Sequence, residues 1–189
     1  NTTRRNQNKD ANVTGAGFSL FTNNKKYAIV GDGVYSSQQF HTDGQKDLNG
    51  YRYKIKAGKA SGAFKFGIQS EVIDTSYNVT DLGYFVVPGI ISNSANVRYN
   101  LFQPWKFLRD GFINIEYTDK KDFKTKMQGN NSLDINGFVS FLDFNAMFFG
   151  GGFTPSRNYD MYEPRVPGYY FHGYRYFYGY VGFSTDYRK

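Results

Sequence analysis

Residues 50–73, GYRYKIKAGKASGAFKFGIQSEVI, alternate apolar and polar side chains on both sides of a short break. Before the break Tyr51, Tyr53, Ile55 and Ala57 share one parity and Arg52, Lys54 and Lys56 the other. Side chains that repeat with a period of about two belong to a β-strand with one apolar and one wet face. After Ser61 and Gly62 the parity switches, so that Phe64, Phe66, Ile68 and Val72 are apolar against Lys65, Gln69 and Glu71. A two-residue, Gly-containing loop joins strands in such a register, which predicts a tight hairpin of strands about 9–11 residues long. Strands of soluble domains run about 5–6 residues, whereas one tilted across a bilayer needs about 9–11. The pattern therefore predicts an all-β, antiparallel, up-and-down transmembrane β-barrel.

The rest of the chain extends this reading. Residues 1–10 are polar and read as a loop or tail. A first strand over 11–22 sets Ala16, Phe18 and Leu20 against Gly15, Gly17 and Ser19. A second, over 27–40, is interrupted by Asp32, and its faces cannot be assigned. The opening hairpin supplies the third and fourth. The fifth, 91–102, sets Ala95, Val97, Tyr99 and Leu101 against Ser92, Ser94, Asn96, Arg98 and Asn100. Ile113, Ile115 and Tyr117 mark a sixth, Leu133, Ile135, Val139 and Phe141 a seventh, and 145–153 an eighth. A ninth, 174–186, sets Tyr176, Tyr178 and Tyr180 against Phe177, Val181 and Phe183.

The expected connections are short at 23–26, 61–62 and 142–144, middling at 103–110, and long at 41–49, 74–90, 119–130 and 154–173. Such alternation fits the short periplasmic turns and longer outer loops of outer-membrane barrels. Single-chain bacterial barrels have even strand numbers, and an open sheet edge in lipid costs several kcal/mol per unsatisfied group. Nine strands therefore point to one segment of a larger barrel or to a strand count off by one, without a domain boundary between 1 and 189.

Composition narrows the alternatives. Tyr (17) and Phe (19) dominate over Trp (1), and Gly (21) over Pro (5), a balance that favours strands and turns. The longest near-apolar run, 84–91, is interrupted by Pro88 and Gly89 and falls far short of the roughly 20 residues of a membrane-spanning helix. The absence of Cys excludes disulfides and thiolate metal sites. The net charge of +7 comes from basic residues scattered through expected turns, such as Lys25, Lys26, Lys124 and Lys126, with no recognition helix or zinc pattern. Solvated loops and lipid headgroups account for them better than nucleic acid does.

In a barrel, Arg52, Lys54, Lys56, Lys65 and Arg98 point into the lumen with Glu71, Glu116 and Asp134, a mixture of signs suited to structural ion pairs and solvation or to lining an aqueous path. Tyr176, Tyr178 and Tyr180 form an inward ladder able to stack sugar rings or to brace the wall. Lipid falls to Tyr51, Tyr53, Ile55, Phe64, Phe66, Ile68, Val97, Tyr99, Leu101, Ile113, Ile115, Val139 and Phe141. His41 and His172 are too isolated for a metal motif or a triad. Asp74, Asn78 and Asp81 lack the spacing of a calcium loop and fit turn capping. Gly150 to Gly152 lack the Lys-Ser/Thr that follows a phosphate cradle and fit close packing or a bend. No catalytic group, metal or cofactor is expected.

The stretch 74–85, DTSYNVTDLGYF, resembles a loop of the type D-x-Y-x-P-N-D-L-G-F-L in Bacteroidota outer-membrane proteins that carry an N-terminal carbohydrate-binding-like domain and a C-terminal β-barrel of unknown function. Asp81, Leu82 and Gly83 are kept, while Val79 and Thr80 stand for Pro and Asn, and Tyr84 and Phe85 for Phe and Leu. Residues 50–66, 98–107 (RYNLFQPWKF) and 184–189 (STDYRK) are similar to further family segments in the same order. The resemblance implies part of the barrel without that N-terminal domain, and no known reaction. The expectation is thus an integral protein of the Gram-negative outer membrane, porin-like, a structural or transport component within a larger surface assembly. Its partners are membrane lipid and other outer-membrane or surface proteins. The alternative is a soluble or secreted β-sandwich or barrel that binds glycans or lipids and packs the same apolar faces inward.

Overall fold

The structure is a computed structural model and describes residues 2–5, 9–42, 44–160, 163–166 and 168–185. Its strands are β1 (Thr2–Arg5), β2 (Lys9–Phe21), β3 (Tyr27–Phe40), β4 (Leu48–Lys59), β5 (Phe64–Ile73), β6 (Ile90–Leu101), β7 (Leu108–Asp122), β8 (Gln128–Phe141), β9 (Ala146–Phe153), β10 (Asn158–Asp160), β11 (Phe171–Gly173) and β12 (Phe177–Ser184). One ten-stranded antiparallel sheet takes them in the order β1 to β9 and then β12, while β10 and β11 form a separate two-stranded ribbon. The only helix among the described residues is a single 3-10 turn, Thr80–Leu82. The all-β, up-and-down architecture expected from the alternation is present. The sheet does not close, because β1 and β12 do not pair.

Several expectations about boundaries need correction. The polar segment read as a tail contributes β1, whose residues pair with Lys9 to Asn12. The hairpin around Ser61 and Gly62 is not a two-residue turn: Lys59 is the last β4 residue opposite β5, and its partner is Phe66. Residues beyond that pair turn to other neighbours, with the Ala60 N–H donating to Lys26 O (2.8 Å) and the Asn100 N–H to Ala63 O (2.8 Å). Stagger between neighbouring strands, which a parity count does not reveal, makes the connection longer. The loop expected over 119–130 shrinks to 123–127, since β7 runs to Asp122 and β8 begins at Gln128. The remaining connections keep their order, with 74–89 and 154–176 far longer than 22–26, 60–63 and 142–145. The ninth expected strand is confined to Phe177–Ser184, and its end at 186 lies outside the described residues.

The register sorts side chains onto two faces. Asp32, Lys54, Glu71 and Ser92 lie abreast across β3 to β6, and Asn114, Asn136 and Gly150 continue the same parity across β7 to β9. The opposite face is apolar over most of its middle, with Ser70 and Asn93 as polar members and with Asn12, Ser37 and Asn49 toward its long-loop end. Ile29, Ile55, Ile68, Val97, Ile113 and Ile135 occupy its middle, with Tyr27, Phe64, Tyr99 and Phe141 toward the short-turn end and Tyr35, Tyr51, Tyr117 and Phe153 toward the long-loop end. No second layer packs on it among the described residues: Ile68 is 62% exposed and Val97 45%. Among the described residues the fully buried apolar set is only Ala11, Val72, Ile73, Tyr77 and Val79.

Candidate functional site

Every residue expected to face a lumen from within β4 to β8 falls on the polar face, as do Tyr178 and Tyr180 of β12. Every residue expected to face lipid falls on the other. Leu101, Val139 and Phe141 are half-buried on that apolar face, while the rest are exposed. The centre of the polar face is an ion triad. The Arg52 guanidinium donates from Nε to Glu71 (2.7 Å) and from an Nη to Asp32 (2.8 Å). Asp32, whose strand was ambiguous in sequence, is thus the third member, and Lys54 lies directly abreast of both carboxylates.

Like charges also sit side by side. Lys65 is opposite Arg98, and Glu116 is opposite Asp134. Such pairs repel, and only water or a second partner makes them tolerable. Arg98 places its guanidinium 3.9 Å from the centre of the Phe112 ring and donates to Asn100 Oδ1 (2.9 Å). Asp134 accepts from the Ser132 hydroxyl (2.7 Å) and from Tyr178 (3.0 Å). Lys56 lies abreast of Gln69.

Tyr178 and Tyr180 reach this face because β9 offers no side chain beneath them. Gly152 and Gly150 are their register partners, and a Cβ at Gly150 would stand 2.5 Å from the Tyr180 hydroxyl. Close packing, not phosphate binding, is the use of the triple glycine. Tyr176 lies outside the strand and stacks on Tyr178 with ring centroids 6.5 Å apart.

At the long-loop end, segment 74–89 folds back onto the polar face. Tyr77, Val79 and Val86 pack with Ile73, Val13 and Val34. The Asn78 N–H donates to the buried Ser36 hydroxyl (3.1 Å), and Asp81 pairs with Lys9 (2.7 Å) and accepts from Gln38 (2.8 Å). Burial pushes the Tyr77 phenol above the usual range, opposed by Arg52 and reinforced by Asp32 and Glu71. The capping expected of this loop holds for Asp74, which accepts the Thr75 N–H, and for Asn78, which accepts that of Thr80. Asp81 instead pins the loop to the sheet. The docked loop had no signal in the sequence, because its partners lie some forty residues away along the chain.

His41 lies beside Asp10 (3.3 Å), and His172 packs against Tyr159 with ring centres 5.2 Å apart. Among the described residues no group of three or more His, Asp or Glu is placed to hold a metal ion. A cleft of about 630 Å³ opens where the end of loop 74–89, the ends of β7 and β8, and the β10–β11 ribbon meet.

The profile of the family described as Domain of unknown function (DUF5916) matches residues 1–189. The chain belongs to this family. The DUF5916 match covers the sheet, the docked loop and the ribbon together, so all three are parts of the family's unit. Comparison with curated proteins and with solved structures gives no match.

Proposed function

We propose that this sheet is part of the wall of a Gram-negative outer-membrane β-barrel, with the apolar face toward lipid and the charged face toward a wet or plugged lumen. One observation carries the reading: a broad apolar face with no second layer over it among the described residues, on a sheet whose polar face holds the ion triad and the docked loop. A soluble sandwich uses such a face as its core and covers it with another sheet. Here the exposed residues are the large ones, including Phe18, Ile55, Ile68 and Ile115. Strands β2 to β8 run from 10 to 15 residues, enough to cross a bilayer when tilted. The aromatic residues flanking the aliphatic middle match interfacial girdles. The resemblance to Bacteroidota outer-membrane barrels agrees with this reading. The role is structural or transport-related, within a larger surface assembly and without catalysis by these residues.

The test is insertion of the full chain into lipid vesicles, followed by flotation. Val97→Arg is expected to lower stability in the bilayer by about 2–4 kcal/mol, as charge on a lipid-facing wall does near the midplane. Lys56→Ala, on the other face, is expected to change it little. A protein that stays monodisperse without detergent and does not float with vesicles would refute the membrane reading.

A further inference from the structure

We infer that the cleft between loop 74–89, the ends of β7 and β8, and the β10–β11 ribbon is a binding site for an uncharged saccharide. Its volume of about 630 Å³ lies within the roughly 300–1,000 Å³ of small-molecule sites. Tyr159, His172 and Tyr176 are on its lining. These rings belong to a chain of contacts: Tyr159 meets Tyr170 edge-on at 5.1 Å, His172 meets Tyr174 at 6.0 Å, and Tyr176 stacks on Tyr178. The same lining carries the polar Lys120, Asp122 and Asn158 and the apolar Val87, Pro88 and Ile90.

Aromatic and polar groups on one lining define the ligand. A pyranose presents a face of C–H bonds, which seats on the electron-rich face of an aromatic ring, and a rim of hydroxyls that need donors and acceptors. An acyl chain offers no hydrogen-bond partner to the polar groups on this lining. A phosphate or nucleic-acid strand requires a net basic wall, whereas Lys120 and Lys121 are balanced by Asp122 and Asp160 around this cleft. The site is also held in shape before any ligand arrives. Asn158 accepts the Asn131 N–H (3.3 Å) and donates to Asn130 Oδ1 (3.1 Å), which fastens the ribbon to β8. Meanwhile Tyr176, on the lining, is left 53% exposed. The inference does not depend on the membrane reading, since binding is measured whether or not the sheet crosses a bilayer.

The experiment is isothermal titration of the full chain in detergent with maltohexaose, cellohexaose and xylohexaose as separate probes. Saturable binding of at least one is expected. Tyr159→Ala and Tyr176→Ala, on different segments, should each weaken it about tenfold or more, while Tyr159→Phe keeps the ring and stays within about twofold. Tyr84→Ala, exposed and outside the cleft, should leave it unchanged. Failure of all three probes to bind would overturn the inference. So would binding that survives both alanine variants, because the sugar would then sit elsewhere. Tyr176 is half-exposed and lies outside the strands, so its variant tests the site even where Tyr159→Ala fails to fold.

Discussion

At the scale of single residues, Arg52 and Gly50 have the clearest consequences. Arg52 bridges Asp32 and Glu71, so Arg52→Ala leaves two neighbouring carboxylates without their cation. Full burial of such a pair would make its disruption cost about 3–5 kcal/mol. Side-chain exposure of 23% for Arg52 and 42% for Asp32 admits water and screening, which lowers the expectation to about 1–2 kcal/mol. Urea unfolding of the full chain in micelles measures it. The triple variant Arg52→Met, Asp32→Asn, Glu71→Gln should recover most of the loss, because no charge is then stranded. A single variant as stable as wild type would mean that water alone satisfies the carboxylates. Gly50 acts through space rather than charge. An added Cβ there would collide with the backbone at Ser76 and Tyr77, which cannot move without lifting the docked loop. Gly50→Ala should therefore expose the 74–89 segment to limited proteolysis while the sheet stays folded by circular dichroism. An unchanged cleavage pattern would show that the loop is held by something other than this close approach.

At the scale of elements, loop 74–89 is a latch with a predictable dependence on pH. The docked Tyr77 phenol resists ionisation more than a free one, chiefly because it is buried. A group whose folded-state value is raised stabilises fully below the unfolded-state value and loses that contribution as pH rises through the folded one. The latch should therefore hold at neutral pH and open in strongly alkaline solution, and Tyr77→Phe should shift opening to higher pH. Hydrogen exchange of the 77–79 amides follows the transition, and an unmoved midpoint in the variant would remove Tyr77 from the mechanism. The same element explains what the sequence did and did not disclose. Strands β4 and β6 were legible because one face is apolar and the other charged or polar throughout most of their length. Strand β3 was not, since Val34 shares the polar face with Asp32 in order to receive the loop. Strand β9 was illegible because its inner face is supplied by Tyr178 and Tyr180 from β12. Phe112, Phe138 and Phe148 lie on the polar face for a related reason: Phe112 receives Arg98, Phe138 stacks on Phe112, and Phe148 fills the space above Gly182. The cleft joins segments from five parts of the chain, a juxtaposition that no local spacing marks.

At the scale of the whole molecule, the open edges decide how the sheet can live in lipid. Beyond the four pairs with β1, the outer edge of β2 runs from Thr14 to Phe21 without a partner strand among the described residues, and β12 presents the other lateral edge. In water such edges are hydrated at little cost, but in a bilayer each unsatisfied N–H or C=O costs several kcal/mol. A wall with these edges bare would not be stable there, so the membrane reading requires that both edges be paired, with other strands of a barrel or with each other. Amide hydrogen exchange separates the cases. In detergent-extracted native protein, the outward-pointing amides of β12 and of Thr14 to Phe21 should be as protected as those of the central strands β5 to β7, because a closed barrel has no fraying edge. Fast exchange confined to these two segments, beside slow exchange in β5 to β7, would describe a free-standing open sheet. The apolar face would then need a cover other than lipid, and the membrane assignment would fall with it.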